Sequence, residues 1–186
     1  MLNKFIPDYH IRSIYNLDLN LLKEHGIKLI LLDLDNTLIP YNKTNHDDKL
    51  LAYKEQLEAN GFKLCILSNS KKARVENFSI PFGIDYIKFS KKPLKKGFKE
   101  AFAKYNDEYK IDEVCEIGDQ IMTDVLGANR MGVVSILVDP IDRSSELFIT
   151  KMNRVYERIV LFFLKRFKKN KYNSNIKNYI GDICGN

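Results

Sequence analysis

The sequence predicts an α/β fold in which a doubly wound parallel β-sheet is covered by helices on both faces. Two observations predict it: short apolar, β-branched runs recur along the chain, and segments with helical spacing lie between them. The apolar runs lack the polar alternation of half-exposed strands, so each strand is expected to be buried on both faces. Strands that are separated by helices run parallel, with right-handed connections.

The predicted elements alternate from residue 27 onwards. Strands are expected at 27–32, 62–67, 84–89, 114–117 and 133–138. Helices are expected at 47–59, 71–78, 94–105 and 123–131, each after a turn or cap such as the Ser-Asn-Ser run at 68–70. Parallel sheets of this kind bind ligands at the carboxyl ends of their strands. The residues that follow each strand are therefore the candidate site.

Length and composition predict one globular domain with a basic tail. The 186 residues are 45% hydrophobic and 29% charged, which argues against disorder and against a disulfide scaffold. The formal net charge is +6, but nine of the 30 Lys and Arg and only two of the 24 Asp and Glu follow residue 150. A uniformly basic, nucleic-acid-binding surface is therefore not indicated. We expect a core at 1–150, a basic amphipathic helix at 151–171 that packs on or extends the core, and a flexible tail at 172–186.

Cysteine usage and the apolar segments indicate a cytoplasmic protein. Cys65, Cys115 and Cys184 form no CxxC pair, and the first two lie within predicted strands, where cysteine acts as a small core residue. The first ten residues lack a signal-peptide pattern, and the apolar runs are too short to span a membrane. Peripheral contact with the inner face of a membrane stays open.

Two carboxylates follow the first predicted strand. Asp33 and Asp35 stand at i and i+2, which places both on one side of an extended segment. Two carboxylates that lie this close raise the pKa of one of them, so one can act as nucleophile or ligand while the other donates a proton. A plain turn is the alternative. A calcium loop of the EF-hand type is excluded because Leu38 and Thr44 stand where glycine and glutamate are required.

Polar groups follow three other predicted strands. They are Ser68-Asn69, Lys91-Lys92-Pro93 and the run GDQIMTD at 118–124. Each alone also fits a structural role, as a helix cap, solvated lysines or a strand-to-helix turn. Together they bring four carboxylates to one crevice, where a phosphate monoester would be repelled unless a lysine and a divalent cation offset the charge. Carboxylate ligands favour Mg²⁺, and either lysine could reach the crevice.

The four groups, in this order, resemble the motifs of the haloacid dehalogenase (HAD) superfamily, phosphatase subfamily IIIA. The matching segments are DLDNT at 33–37, SN at 68–69, KP at 92–93 and GDQxxTD at 118–124. The opening from Phe5 and the run TDVLGANRMG at 123–132 are similar to the YqeG family within it, over most of residues 1–140. The resemblance implies a Rossmann-like core and a Mg²⁺-dependent phosphatase that forms an aspartyl-phosphate.

The resemblance also implies a role for each matching residue. Asp33 would be the nucleophile, Asp35 the general acid and then base, and Lys92 would bridge Asp33 and the phosphate. The phosphoryl oxygens would be held by three side chains, those of Thr37, Ser68 and Asn69. The Mg²⁺ ion would be held by four residues, of which Asp35 offers its backbone carbonyl: Asp33, Asp35, Asp119 and Asp124.

Spacing between the motifs leaves no room for the cap domain that many HAD enzymes carry. An open crevice resembles that of superfamily members which act on large or surface-bound phosphates. The YqeG family resembles the mitochondrial phosphatidylglycerophosphate phosphatases, so a lipid phosphate is the first substrate hypothesis. A protein or nucleotide phosphate, transfer to an acceptor other than water, and a catalytically silent protein that binds RNA or a ribosomal particle are the alternatives. The complete set of motif acids counts against the last.

The basic helix carries an apolar stripe with two interpretations. Its members recur at helical spacing: Met152, Val155, Tyr156, Ile159, Val160, Phe163 and Phe167. We expect the stripe to pack on the sheet, because a doubly wound fold needs cover after its last strand. The other interpretation is a surface helix that is held to anionic lipid by its basic end.

Overall fold

The structure, a computed structural model, describes residues 2–179 and has a six-stranded, all-parallel sheet at its centre. The strands are β1 Tyr9–Ile11, β2 Leu29–Leu32, β3 Lys63–Leu67, β4 Asp85–Ile87, β5 Val114–Gly118 and β6 Val134–Val138. They lie in the order β1-β6-β5-β2-β3-β4. The predicted doubly wound α/β fold is confirmed, and each of the five predicted strands is present.

Within residues 2–179, seven α-helices accompany the sheet. They are α1 Leu19–Glu24, α2 Asp48–Ala59, α3 Lys72–Phe82, α4 Lys95–Lys104, α5 Leu126–Met131, α6 Phe148–Phe167 and α7 Lys169–Asn175. The sequence does not predict α1 or β1. The three residues of β1 pair with β6 at the sheet edge and are only half-buried, so they carry no apolar run. The segment predicted as one helix at 123–131 is a π-helical turn, Ile121–Val125, that continues into α5.

Alternate residues of the strands pack into different layers. In β2, Ile30 and Leu32 face a core built with the early helices, whereas Leu29 and Leu31 contact Phe98 of α4 and its neighbours. All four side chains are buried, which explains why the run has no polar alternation. Cys65 in β3 and Cys115 in β5, the two strands beside β2, are buried and form no disulfide, as expected.

The site lies where the direction of strand progression reverses. From β2 the chain continues to β3 on one side and returns as β5 on the other. The loops that follow β2 and β5 therefore diverge, and a crevice is left between them at the carboxyl ends of these two strands. Between β2 and β3 the chain adds α2 and loops, and between β3 and β4 it adds α3. No cap domain is inserted, so the crevice is open.

Helix α6 packs against the molecule through the face opposite to the expected one. Its buried residues are Arg154, Glu157, Leu161 and Leu164. The apolar stripe, except for Val160, is turned to the outside; Val160 is half-buried and packs against the core. We call the exposed set the outer face of α6: Phe148, Ile149, Met152, Val155, Tyr156, Ile159, Phe162, Phe163 and Phe167. The expectation that the stripe covers the sheet is therefore corrected. The reason is that the charged residues find buried partners at the carboxyl end of β5.

The chain stays packed beyond the expected end of the basic helix. Tyr172, Ile176 and Tyr179 are buried against Ile121 and Leu137, so residues 172–179 differ from the flexible tail that was expected there. The rest of that tail, 180–186, lies outside the described residues, as does Cys184. Among the helices that the structure describes, none is long and apolar enough to cross a membrane.

Candidate active site

A crevice of about 250 Å³ opens at the carboxyl ends of the central strands. Its lining includes five of the residues that the sequence singles out: Asp33, Asp35, Ser68, Asn69 and Lys92. Asp33 and Asp35 follow β2, Ser68 and Asn69 follow β3, and Lys92 comes from the loop after β4. The convergence predicted from the strand ends is therefore observed for these side chains.

Lys92 is the centre of a buried charged cluster. Its Nζ lies 3.0 Å from Asp33 Oδ1, 3.0 Å from Glu116 Oε1 and 2.8 Å from Asp124 Oδ1. Lys92 Nζ and Glu116 Oε1 are close enough to form an ion pair, but their geometry is not that of a hydrogen bond. Lys91 is exposed, so Lys92 is the lysine that the fold directs into the crevice.

Burial and crowding shift the pKa values of this cluster. Burial, with added repulsion from Asp124 and Asp35, raises the pKa of Asp33 to about 7, against the opposing effect of Lys92. Burial also raises the pKa of Glu116 well above its usual range. For Lys92, burial disfavours the charge, but the surrounding carboxylates dominate and raise its pKa well above the ordinary value. The lysine is therefore a permanent cation beside carboxyl groups that hold protons unusually well.

Three carboxylates can hold a metal ion. One oxygen from each of Asp33, Asp119 and Asp124 lies within 4.8 Å of the others, and all three residues are buried. Asp119 Oδ1 has no hydrogen-bond partner among the residues described, although it is buried. An orphaned carboxylate oxygen inside a protein is costly unless a cation faces it. The donor set fits a hard divalent cation.

A glycine and a π-helical turn bring Asp124 to the cluster. The Gln120 backbone N–H donates to Asp124 Oδ2 at 2.9 Å across this turn. A Cβ at Gly118 would overlap the Asp124 carboxylate. Since only glycine leaves this space, Gly118 permits the close approach of Asp124 to the end of β5.

Asp35 is held by two residues of the following segment. The Ser70 hydroxyl donates to Asp35 Oδ2, and Arg74 Nε donates to Asp35 Oδ1 at 2.6 Å. Asp35 is half-buried, so it faces both the crevice and solvent. Sequence reasoning missed Arg74, because an arginine in the first turn of a helix usually extends into water.

The two residues after β3 serve different purposes. Asn69 is bound to the lysine loop: its Oδ1 accepts from Lys92 N at 2.7 Å, and its Nδ2 donates to Lys92 O at 3.0 Å. The Asn69 side chain therefore positions Lys92, and its expected contact with phosphate stays a prediction. The Ser68 hydroxyl accepts from Ser70 N at 3.1 Å and keeps its own proton free to donate into the crevice.

Thr37 lies outside the crevice. It lines a neighbouring cavity of about 500 Å³, and its buried Oγ1 has no partner within residues 2–179. The chain turns at Asn36, which has a φ of 63° and donates its N–H to Ile39 O at 2.7 Å. Thr37 is not among the residues that line the crevice with Asp33, and its expected contact with phosphate stays a prediction.

A buried arginine from α6 fixes Asp119. Arg154 Nη2 pairs with Asp119 Oδ2, and Nη1 donates to Asp119 O at 2.8 Å. Glu146, Glu157 and the Tyr179 hydroxyl hold the rest of the guanidinium. The remaining oxygen of Asp119 stays free for a cation. Sequence reasoning missed this network, because charged residues on an amphipathic helix are expected to face water.

Comparisons with known proteins identify the family of this chain. A family model described as mitochondrial PGP phosphatase matches residues 2–142. The chain is 42% identical over 167 residues to the probable phosphatase YqeG of Bacillus subtilis, covering 89% of this chain and 95% of that protein. It is 26% identical over 172 residues to phosphatidylglycerophosphate phosphatase 1 of Arabidopsis thaliana, covering 87% of this chain and 48% of that protein.

A solved structure shares the fold. A predicted HAD-like family hydrolase from Porphyromonas gingivalis aligns with a TM-score of 0.50 at 15% identity, covering 70% of this chain and 98% of that one. At this identity the likeness concerns the arrangement of the sheet and helices alone.

Proposed function

Since the chain belongs to the family of the mitochondrial PGP phosphatases, within the HAD-type phosphatases, we propose that it hydrolyses phosphomonoesters through an aspartyl-phosphate on Asp33. In the first step an Asp33 oxygen attacks phosphorus in line with the leaving oxygen. The bond from phosphorus to the leaving oxygen breaks, and Asp35 gives its proton to that oxygen. The alcohol product then leaves the open crevice.

The second step restores both carboxyl groups. A water molecule attacks the aspartyl-phosphate, and Asp35 accepts its proton. The bond between phosphorus and the Asp33 oxygen breaks and releases inorganic phosphate. Lys92 offsets negative charge between Asp33 and the phosphoryl group in both steps, and the free hydroxyl of Ser68 donates to a phosphoryl oxygen.

Asp33, Asp119 and Asp124 are proposed to hold Mg²⁺. When bound, the ion supplies positive charge that stabilises the phosphoryl oxygens in the transition state. The Asp119 oxygen left free by Arg154 supports this assignment. The choice of a hard cation follows from the all-carboxylate donor set.

The observation that carries the proposal is the pairing of Lys92 with Asp33. Asp33 lies 3.0 Å from the lysine and belongs to the cation-binding triad, whereas Asp35 is paired with Arg74 at the crevice mouth. Charge stabilisation for an attacking carboxylate is therefore concentrated at Asp33.

The test measures phosphate release from a small aryl phosphate with Mg²⁺ and with EDTA. We expect turnover that needs the metal and that falls by on the order of 10³-fold or more in Asp33→Asn. The matched control is Asp112→Asn, an exposed aspartate outside the crevice, which should keep wild-type turnover. Full turnover in EDTA or in Asp33→Asn would refute the mechanism.

We propose phosphatidylglycerophosphate as the substrate, with a protein or nucleotide phosphate as the alternatives. The family description, the name of the Arabidopsis relative and the open crevice support a phosphate that is carried on a lipid. The test compares turnover of this lipid in vesicles with turnover of the aryl phosphate. A preference for the lipid, with phosphate release equal to substrate loss, is expected. Turnover of a soluble nucleotide in its place would reject the lipid.

A further inference from the structure

Helix α6 presents an apolar surface that nothing in the described part of the chain covers. The exposed fractions along the outer face of α6 range from 39% at Met152 to 79% at Phe148. Its other face buries Arg154 and Glu157, so the exposure does not come from a helix that has detached. Soluble monomers rarely expose a continuous apolar patch of this kind, and such patches are typical of interaction sites.

The outer face is one continuous strip. Its residues recur three and four positions apart along the 20 residues of α6, a helix about 30 Å long. Near the carboxyl end the rings of Phe163 and Phe167 stack with centroids 6.2 Å apart, and Phe162 lies edge-on to Phe163 at 5.6 Å. The strip therefore offers both aliphatic and aromatic side chains to its surroundings.

The charge beside the strip has a single sign. Lys151, Arg158 and Lys165 are exposed at seven-residue intervals, which places them in a row along one edge of the strip. The acidic residue of α6, Glu157, is buried with Arg154. The exposed charge of this helix is thus entirely positive, and its complement is an anionic surface.

This combination favours a lipid bilayer over other occupants. Helices that lie in a membrane interface combine an apolar strip with flanking Lys and Arg. A second copy that packs antiparallel on the strip would bring one basic row towards the other, which is repulsive. RNA would meet the basic row but would leave the aliphatic side chains of the strip without partners.

The strip begins at the rim of the crevice. Leu147, Ile149 and Thr150, at the start of α6, line the same crevice as Asp33. Leu147 and Ile149 are also largely exposed. A surface that covers the strip therefore lies close to the crevice mouth.

We propose that the outer face of α6 docks into the interface of an anionic phospholipid bilayer and brings the crevice mouth to phosphate groups carried by that bilayer. The docking is inferred from the structure of α6 alone, whereas the orientation of the crevice towards a phosphate rests on the proposed function. The apolar side chains enter the interface, and the basic row contacts the lipid phosphates.

The test is co-sedimentation of the full chain with vesicles of phosphatidylcholine, alone or mixed with phosphatidylglycerol. We expect binding that depends on phosphatidylglycerol and is about 30-fold weaker in Arg158→Gln/Lys165→Gln. The apolar variant Ile159→Ser/Phe162→Ser should bind at least about tenfold more weakly. Asp33→Asn should bind like wild type, which separates failure of docking from failure of the proposed catalysis.

Two matched controls and one further measurement complete the design. Lys95→Gln/Lys96→Gln changes exposed lysines on α4, and Ile80→Ser/Ile111→Ser changes apolar residues that are 67% and 46% exposed elsewhere. Both controls should bind as wild type does, and the two α6 variants and both controls should keep turnover of the aryl phosphate. Equal binding by the α6 variants and the controls would overturn the proposal. A second result would also overturn it: the wild type does not bind vesicles but forms a dimer in analytical ultracentrifugation, and Ile159→Ser/Phe162→Ser dissociates that dimer.

Discussion

At the scale of single residues, the charge around Lys92 is unbalanced. One ammonium group faces Asp33, Glu116 and Asp124, and burial strengthens the repulsion among these carboxylates. Burial raises the pKa values of Asp33 and Glu116, and repulsion among the carboxylates adds to the shift. The proposed divalent cation among Asp33, Asp119 and Asp124 would offset the same excess, so metal and protons would compete for the site.

The first prediction concerns this competition. Because the pKa of Asp33 is about 7 in the metal-free protein, a proton must leave below that pH before the carboxylate can bind a cation. Affinity for Mg²⁺ should therefore rise about tenfold between pH 6 and pH 8, measured by isothermal titration calorimetry. Asp112→Asn serves as the control and should follow the wild-type curve. An affinity that is constant or falls over this range would contradict the assignment.

The second prediction concerns Arg154. Its loss leaves Asp119, Glu146 and Glu157 buried without a cation, so Arg154→Gln should destabilise the protein by about 3–5 kcal/mol in urea unfolding. Arg158→Gln, an exposed arginine one turn further along the helix, should change the stability by less than about 0.5 kcal/mol. Equal unfolding midpoints for the two variants would show that the buried network contributes little.

The candidate site could be predicted in part at this scale. Asp33, Ser68 and Asp119 follow buried strands, so chain position alone indicates that they meet. Glu116 lies inside an apolar strand run that does not mark it as part of the site. Arg74 and Arg154 lie on helices, and the sequence around them does not distinguish them from solvent-exposed arginines. Thr37 belongs to the same motif as Asp33 and Asp35 but lines a neighbouring cavity, so its expected contact with phosphate stays a prediction.

At the scale of elements, the connection from β5 to α5 shapes the proposed metal site formed by Asp33, Asp119 and Asp124. The strand ends at Gly118, and the π-helical turn that follows returns Asp124 over the strand end. An ordinary α-helical turn would shift the register of the side chains that follow. Sequence spacing predicts a helix here, but it does not distinguish these two helical geometries.

The third prediction tests this connection. Gly118→Ala should weaken Mg²⁺ binding in calorimetry and abolish most turnover, because the new Cβ displaces the Asp124 carboxylate. Gly61→Ala is the control: its Cβ meets open space, but its φ of 89° disfavours alanine. It should lose about 1 kcal/mol of stability and keep its metal affinity. Wild-type metal binding in Gly118→Ala would contradict the role of the close approach.

Strands and helices differ in how well sequence predicts them here. Buried strands such as β2 are recognised because a short, continuous apolar run between helical segments is typical of a strand covered on both faces. The orientation of α6 is not recognised, because periodicity identifies an apolar face without saying what covers it. In this helix, pairing of Arg154 with three buried carboxylates decides which face turns inward.

At the scale of the whole molecule, the open crevice and the outer face of α6 lie on adjoining surfaces. In the part of the chain that the structure describes, no cap covers Asp33, and the rim of the crevice continues into the apolar strip. The body of the chain is close to neutral, whereas the end is basic. Charge, shape and exposed apolar area thus favour a substrate that is presented on an anionic surface.

The most direct measurement of the central claim is to trap the covalent intermediate. Asp35→Asn lacks the base for the second step, but an aryl phosphate needs little acid assistance in the first. After rapid acid quenching, peptide mapping by mass spectrometry should find phosphate on Asp33, removable by hydroxylamine. Asp33→Asn treated in the same way should carry none. Phosphate on another residue, or turnover by the wild type with no labelled Asp33 in the trapping variant, would contradict the account.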